Sequence, residues 1–60
     1  MTTFDVVAVE MKSLRVRLIA EGKSERAAEG IVNMAVMRRG VEVEFFAEVP
    51  AGSYSDGDLW

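Results

Sequence analysis

The chain has 60 residues, of which 50% are hydrophobic and 28% are charged, a composition typical of a globular domain. A chain of this length buries only about 60% of the surface that its unfolded form exposes, so we expect one small domain over residues 1–60. Cysteine and histidine are both absent, which excludes disulfides, thiolate or imidazole metal ligands, and catalysis by either side chain. We therefore expect no metal, no cofactor and no enzymatic activity, and we expect support from a partner protein or a second copy.

The net charge of −3 is unevenly distributed. Residues 1–30 hold five basic and five acidic side chains, whereas five acidic and no basic side chains follow Gly40. An acidic surface repels nucleic acid and attracts basic proteins, which argues against direct binding of DNA or RNA. The first residues lack the basic region of a signal peptide, and no apolar run approaches the ~20 residues of a membrane span. These features predict a cytoplasmic protein of a bacterial cell, or of one infected by a phage, with no membrane contact.

Two strands are predicted in the first third of the chain. Residues 4–9 are β-branched and aromatic. Two alternating sets are candidates for their core face: Phe4, Val6 and Ala8, or Val7, Val9 and Met11. We favour the first set, because Asp5 then points outward. Residues 14–20 alternate in polarity and predict a second strand, joined to the first by a short polar hairpin.

A helix is predicted after Gly22-Lys23-Ser24. Ser24 is a typical N-cap residue, and Glu25 lies in the first turn, where the helix dipole favours an anion. Positions 28, 31, 32 and 35 form an apolar stripe with helical spacing, and Arg38-Arg39-Gly40 is typical of a helix end. Gly30 costs about 1 kcal/mol relative to alanine inside a helix, and we interpret it as room for close approach to the sheet or to a partner.

A third strand is predicted over residues 41–49, followed by a polar, acidic tail over residues 50–60. One face of this strand is apolar: Val41, Val43, Phe45, Ala47 and Val49. The other face is mostly acidic: Glu42, Glu44, Phe46 and Glu48. The tail is predicted either as a loop that packs Tyr54 and Trp60 on the sheet or as a short fourth strand.

The order of these elements predicts an α+β fold, with an antiparallel or mixed three-stranded sheet (β-β-α-β) and one helix on one face. A right-handed crossover would make the strands that flank the helix parallel neighbours. Because one helix covers only one side of a sheet, the other side is expected to be open. The apolar residues assigned to this side form a candidate self-association patch: Val7, Val9, Ile19 and Phe46. The alternative is an ordinary solvated face with scattered apolar residues.

Five acidic residues form a candidate partner-binding surface: Glu42, Glu44, Glu48, Asp56 and Asp58. Alternate side chains on a strand lie about 7 Å apart, which approximates the spacing of successive phosphates. We interpret the row as an imitation of a DNA backbone. The alternative is protection of a strand edge and solubility, with Arg15 and Arg17 paired to Glu42 or Glu44 across the sheet.

Other motifs do not indicate chemistry. Gly22-Lys23-Ser24 resembles the end of a phosphate-binding P-loop, but Arg17 stands where that motif needs glycine. Asp56-Gly57-Asp58 is followed by only two residues, too few for a calcium-binding loop. The serines have no histidine to activate them.

In size, acidity, lack of Cys and His, and strand-strand-helix-strand order over Phe4–Val49, the chain resembles small phage-encoded anti-CRISPR proteins. The segment Ser24–Arg39 is similar to the single helix of such proteins. The resemblance implies a non-enzymatic inhibitor that binds a CRISPR effector subunit with a basic surface and blocks its access to DNA. The alternative is a small homodimeric scaffold or regulatory module that acts through its open sheet face.

Overall fold

A computed structural model describes residues 2–40 and 42–60 of the chain. The strands are β1 (Phe4–Glu10), β2 (Val16–Lys23) and β3 (Glu44–Pro50), and helix α1 spans Glu25–Arg39. The sheet order is β2-β1-β3, and both pairings are antiparallel. The predicted α+β fold, with a three-stranded antiparallel sheet and one helix, is therefore confirmed. The strands that flank the helix, β2 and β3, run parallel to each other. The expectation that they would be neighbours is wrong, because β1 lies between them.

Helix α1 begins and ends where the sequence predicts. The Ser24 hydroxyl oxygen accepts a hydrogen bond from the Ala27 amide at 3.2 Å, as an N-cap does. At the other end, the Gly40 amide donates to the Val36 carbonyl at 2.8 Å. Ala28 is completely buried, and the remaining stripe residues at 31, 32 and 35 are partly buried. The apolar stripe therefore faces the sheet, and α1 contacts all three strands.

Strand β1 is buried on both faces. Every residue from Asp5 to Val9 is at most 4% exposed. Because side chains alternate along a strand, Val6 and Ala8 face the helix while Val7 and Val9 face away from it. The expectation that only one of the two sets would face a core is therefore wrong, and Asp5 does not point outward. A central strand that is covered on both sides needs apolar residues in both sets.

The face opposite the helix is closed by the C-terminal tail. Four buried valines form the centre of this second core: Val7, Val9, Val16 and Val49. Leu18, Phe45, Ala47 and Tyr54 pack against them. The Trp60 ring stacks on Tyr54, with centroids 5.2 Å apart, and meets Phe45 edge to face at 5.3 Å. The face that the sequence assigned to solvent or self-association is thus covered by the chain itself.

The last residues of the tail also pair with the start of β2 and the residues just before it. Leu59 forms an antiparallel bridge with Arg15, and the Trp60 amide donates to the Leu14 carbonyl at 2.8 Å. The Val16 amide donates to the Asp58 carbonyl, also at 2.8 Å. The tail therefore combines the two predicted alternatives, since its aromatic residues pack on the sheet while its end extends the sheet by a short pairing. The predicted third strand begins later than expected: Val43 precedes β3, and Val41 lies outside the described residues.

Replacing Trp60 tests the contribution of the tail. We expect Trp60→Ala to lower the free energy of unfolding by about 1–2 kcal/mol, because it removes two aromatic contacts that are each worth about 0.5–1.5 kcal/mol. Urea denaturation followed by circular dichroism measures this change. Trp60→Phe should keep most of the stability, and an unchanged unfolding midpoint for Trp60→Ala would show that the tail does not close this core.

Gly30 offers a second test. A Cβ atom at this position would meet no atom within 4 Å, so the predicted close approach to the sheet is not present among the described residues. We expect Gly30→Ala to raise the free energy of unfolding by up to about 1 kcal/mol, which is the intrinsic preference of a helix for alanine. Gly52→Ala is the opposing control, because Gly52 has a φ of +83°, which disfavours any L side chain. A loss of stability for Gly30→Ala would contradict this account.

Candidate interaction surfaces

The predicted acidic residues of the third strand differ in their surroundings. Glu44 is partly buried and has a charged partner, since its Oε1 lies 3.1 Å from Nη2 of Arg17 and 3.8 Å from Nη1 of Arg39. Arg17 on β2 therefore contacts Glu44 on β3 across the central strand, which confirms one of the predicted pairings across the sheet. Glu42 and Glu48 are exposed, and neither has an ion-pair partner within the described ranges.

The two acidic residues of the tail hold backbone amides. Oδ1 of Asp56 accepts a hydrogen bond from the Leu18 amide at 2.9 Å. Oδ2 of Asp58 accepts one from the Ser55 amide at 2.7 Å. Both side chains remain exposed while they hold these amides. Nearby, Nη1 of Arg15 donates to the Gly57 carbonyl at 3.0 Å, so Arg15 binds the tail, and it has no glutamate partner among the described residues.

These five residues do not form one continuous row. Glu42, Glu44 and Glu48 lie at the β3 edge, whereas Asp56 and Asp58 lie beyond β2. Three strand spacings separate the two edges, a distance of roughly 14 Å. The expectation of a single line of carboxylates that runs from the third strand into the tail is therefore wrong, because the tail crosses the sheet face before it ends.

From Glu44 to Val49, the outer edge of β3 is free of backbone partners in the part of the chain that the structure describes, whereas the Pro50 carbonyl accepts a hydrogen bond from the Ser53 amide at 3.1 Å. The Met11 amide donates to the Val43 carbonyl, and the Ala51 amide donates to the Thr3 carbonyl. Odd-numbered residues therefore turn their backbone groups toward β1, and the even-numbered Glu44, Phe46 and Glu48 turn theirs outward. Pro50 is also even-numbered, so its backbone nitrogen faces away from β1. A proline, which has no amide proton, is tolerated there because that position donates no hydrogen bond to β1. An extended segment of another chain can pair with this edge.

The predicted self-association patch does not exist as one surface. Val7 and Val9 are completely buried beneath the tail. Ile19 and Phe46 lie on the opposite face of the sheet, where they border a cleft beside α1. These four residues therefore cannot bind a second copy together, because two covers, the helix and the tail, leave no open sheet face.

Asp5, predicted to point outward, is a buried carboxylate. Its Oδ1 accepts a hydrogen bond from the Gly22 amide at 2.9 Å, and its Oδ2 accepts one from the Gly52 amide at 3.0 Å. The hydrogen bond from Gly52, followed by that from Gly22, holds the pKa of Asp5 below its usual value of 3.8, although burial acts in the opposite direction. Both oxygens are used by backbone amides, so the group fixes the end of β2 and the turn after β3 and offers nothing to a substrate. An acidic residue inside a β-branched strand was the signal for this role.

We expect Asp5→Asn to destabilise the fold, because an amide side chain accepts from one of the two glycines and presents its own donor to the other. The folded pKa of Asp5 is lowered, so its contribution is complete above about pH 4 and is lost as the pH falls through the lowered pKa. The difference in unfolding free energy between the parent and Asp5→Asn, measured by urea denaturation, should therefore be nearly constant from about pH 7 to about pH 5 and should shrink as the pH is lowered below about 4. Asp56→Asn is the matched control with little expected effect, since it keeps the single acceptor that Leu18 needs. A difference that does not vary with pH would contradict the role of the charge.

The described residues contain no group of three or more acidic side chains placed to hold a metal ion. The described part of the chain also has no helix with the length and apolar character needed to cross a membrane. Comparison of the chain with protein-family models, with curated proteins and with solved structures gave no match.

Proposed function

We propose that this chain is a non-enzymatic, protein-binding inhibitor whose acidic β3 edge binds a basic segment of a nucleic-acid-binding complex. The resemblance to anti-CRISPR proteins makes a CRISPR effector subunit the first target to test. In such a complex the carboxylates form ion pairs with lysine and arginine side chains of the effector that otherwise contact DNA phosphates. The chain therefore competes with DNA for these side chains. Asp56 and Asp58 add to the negative field but lie away from the contact.

One observation carries this proposal: an unpaired strand edge and two uncompensated carboxylates occur together. The outward backbone groups of Glu44, Phe46 and Glu48 provide hydrogen bonds to an added strand, and alternate side chains provide selectivity. Glu42 and Glu48 are exposed and lie at opposite ends of this edge, where they attract basic side chains of the added segment. At the other edge of the sheet, the tail bonds residues 14–18, and the rest of β2 pairs irregularly with β1. Among the described elements, β3 is therefore the edge with regular pairing and outward backbone groups for strand addition.

The same charges act against pairing of β3 with a second copy. In an antiparallel pair centred on Phe46, Glu44 of one chain would lie opposite Glu48 of the other. Like charges that are directly opposite each other destabilise a strand pair. A basic partner is therefore favoured over self-association, which is the role that the homodimeric scaffold would require.

The proposal is tested by competition with DNA. Labelled target DNA is bound to a guide-loaded CRISPR effector and followed by fluorescence anisotropy while the chain is added, over a panel of effectors. We expect the parent chain to prevent DNA binding, and we expect Glu42→Gln/Glu48→Gln to weaken inhibition at least about tenfold, the equivalent of ~1.4 kcal/mol. Inhibition should also weaken as salt is raised, because exposed charges are screened.

Two sets of variants separate the edge from general acidity. Glu21→Gln/Glu29→Gln makes the same charge change at exposed positions on β2 and α1, and it should inhibit as the parent does. Glu48→Pro removes an outward amide as well as a charge, so it should inhibit less than Glu48→Gln if a strand is added. Failure to inhibit any effector in the panel, or equal losses in both double variants, would show that the proposal is wrong. A concentration-dependent dimer that Glu48→Pro abolishes would identify a second copy as the occupant of the edge.

A further inference from the structure

A cleft of about 320 Å³ lies between the C-terminal half of α1 and the helix-facing side of the sheet. Its walls include Ile19 of β2, Phe46 of β3, and Ile31 and Ala35 of α1. Ligand-binding pockets in proteins begin at about 300 Å³ and combine an apolar lining with a few polar groups. The size and lining of the cleft therefore suit a small apolar body, such as a short acyl chain or a single aromatic ring.

The rim of the cleft is basic, although the chain as a whole is acidic. Arg17, Arg38 and Arg39 all border it. Glu44 compensates one of these charges through its contact with Arg17 at 3.1 Å, while its distance to Arg39 is 3.8 Å. Arg38 has no ion-pair partner among the residues that the structure describes. The positive charge of three guanidinium groups exceeds the combined negative charge of one carboxylate and of the helix C-terminus, which carries about half a unit. The rim therefore has a net positive charge.

We propose that this cleft binds a small amphipathic carboxylate, whose apolar part enters between α1 and the sheet while its carboxylate meets the arginine rim. The planar guanidinium group matches a carboxylate with two parallel hydrogen bonds, and it keeps its charge at any physiological pH. Arg38 makes the first contact, because Arg17 is already engaged by Glu44. Met34, which also borders the cleft and is half exposed, is a flexible side chain that can adapt to the apolar part.

The charge of the rim decides between this ligand and other small amphipathic molecules. A cation would face net positive charge, and a neutral alcohol would leave the charge of Arg38 without a new partner. This site lies on the face of the sheet that α1 covers, whereas the proposed protein contact uses the backbone edge of β3. The ligand proposal therefore stands or fails independently of the proposed inhibition.

Three probes with the same apolar chain test the site: octanoate, octan-1-ol and octylammonium, each added to the ¹⁵N-labelled chain at constant ionic strength. We expect octanoate to cause saturable chemical-shift changes at the amides of Ile19, Ile31, Ala35 and Phe46. Octan-1-ol should bind at least several-fold more weakly, and octylammonium should cause no saturable change at these amides. Equal binding of octanoate and octan-1-ol, or no saturable change with octanoate, would overturn the proposal.

A matched pair of variants identifies the anion contact. Arg38→Gln should weaken octanoate binding about tenfold, whereas Arg26→Gln makes the same charge change in the first part of α1, away from the cleft, and should leave binding unchanged. Both positions are exposed, so neither substitution threatens the fold. Ala35→Phe fills the cleft and should abolish binding in a chain that keeps a dispersed spectrum. Equal weakening by Arg38→Gln and Arg26→Gln would show general charge attraction and not a site.

Discussion

The burial of β1 on both faces is the constraint on which the rest of this small structure depends. A strand whose residues from Asp5 to Val9 are all buried needs a cover on each side and a neighbour on each edge. Helix α1 supplies one cover, the C-terminal tail supplies the other, and β2 and β3 supply the neighbours. Several acidic side chains near the sheet also bond other parts of the chain, since Asp5 and Asp56 hold distant backbone amides and Glu44 contacts Arg17.

The distribution of charge shows how this constraint limits function. The sequence has an acidic second half, but Asp56 and Asp58 accept hydrogen bonds from backbone amides, and Glu44 is bonded to Arg17. The structure therefore has an acidic strand edge on one side and an arginine-rimmed cleft on the helix-facing side. Glu44 lies between these two surfaces, since its backbone belongs to the open edge while its carboxylate compensates charge at the cleft.

Local patterns predicted the elements well, because their causes are local. Ser24 and Gly40 cap α1 through hydrogen bonds to residues three or four positions away, so the helix limits follow from neighbouring sequence. Alternation predicted the apolar face of β3 at Phe45, Ala47 and Val49. The positions of Asp5 and of the tail could not be predicted in this way. Their partners are distant in sequence: Asp5 bonds Gly52, and Leu59 pairs with Arg15.

The sequence by itself determined the class of fold, the order of the elements, the limits of α1 and the excess of acid after Gly40, because periodicity, capping and composition are properties of the chain. The tertiary structure alone decided that β1 is central, that the tail closes the second face, and which carboxylates remain uncompensated. The physical reason is that strand pairing and ion pairs join residues far apart in the chain, and such contacts depend on how the elements share one buried strand.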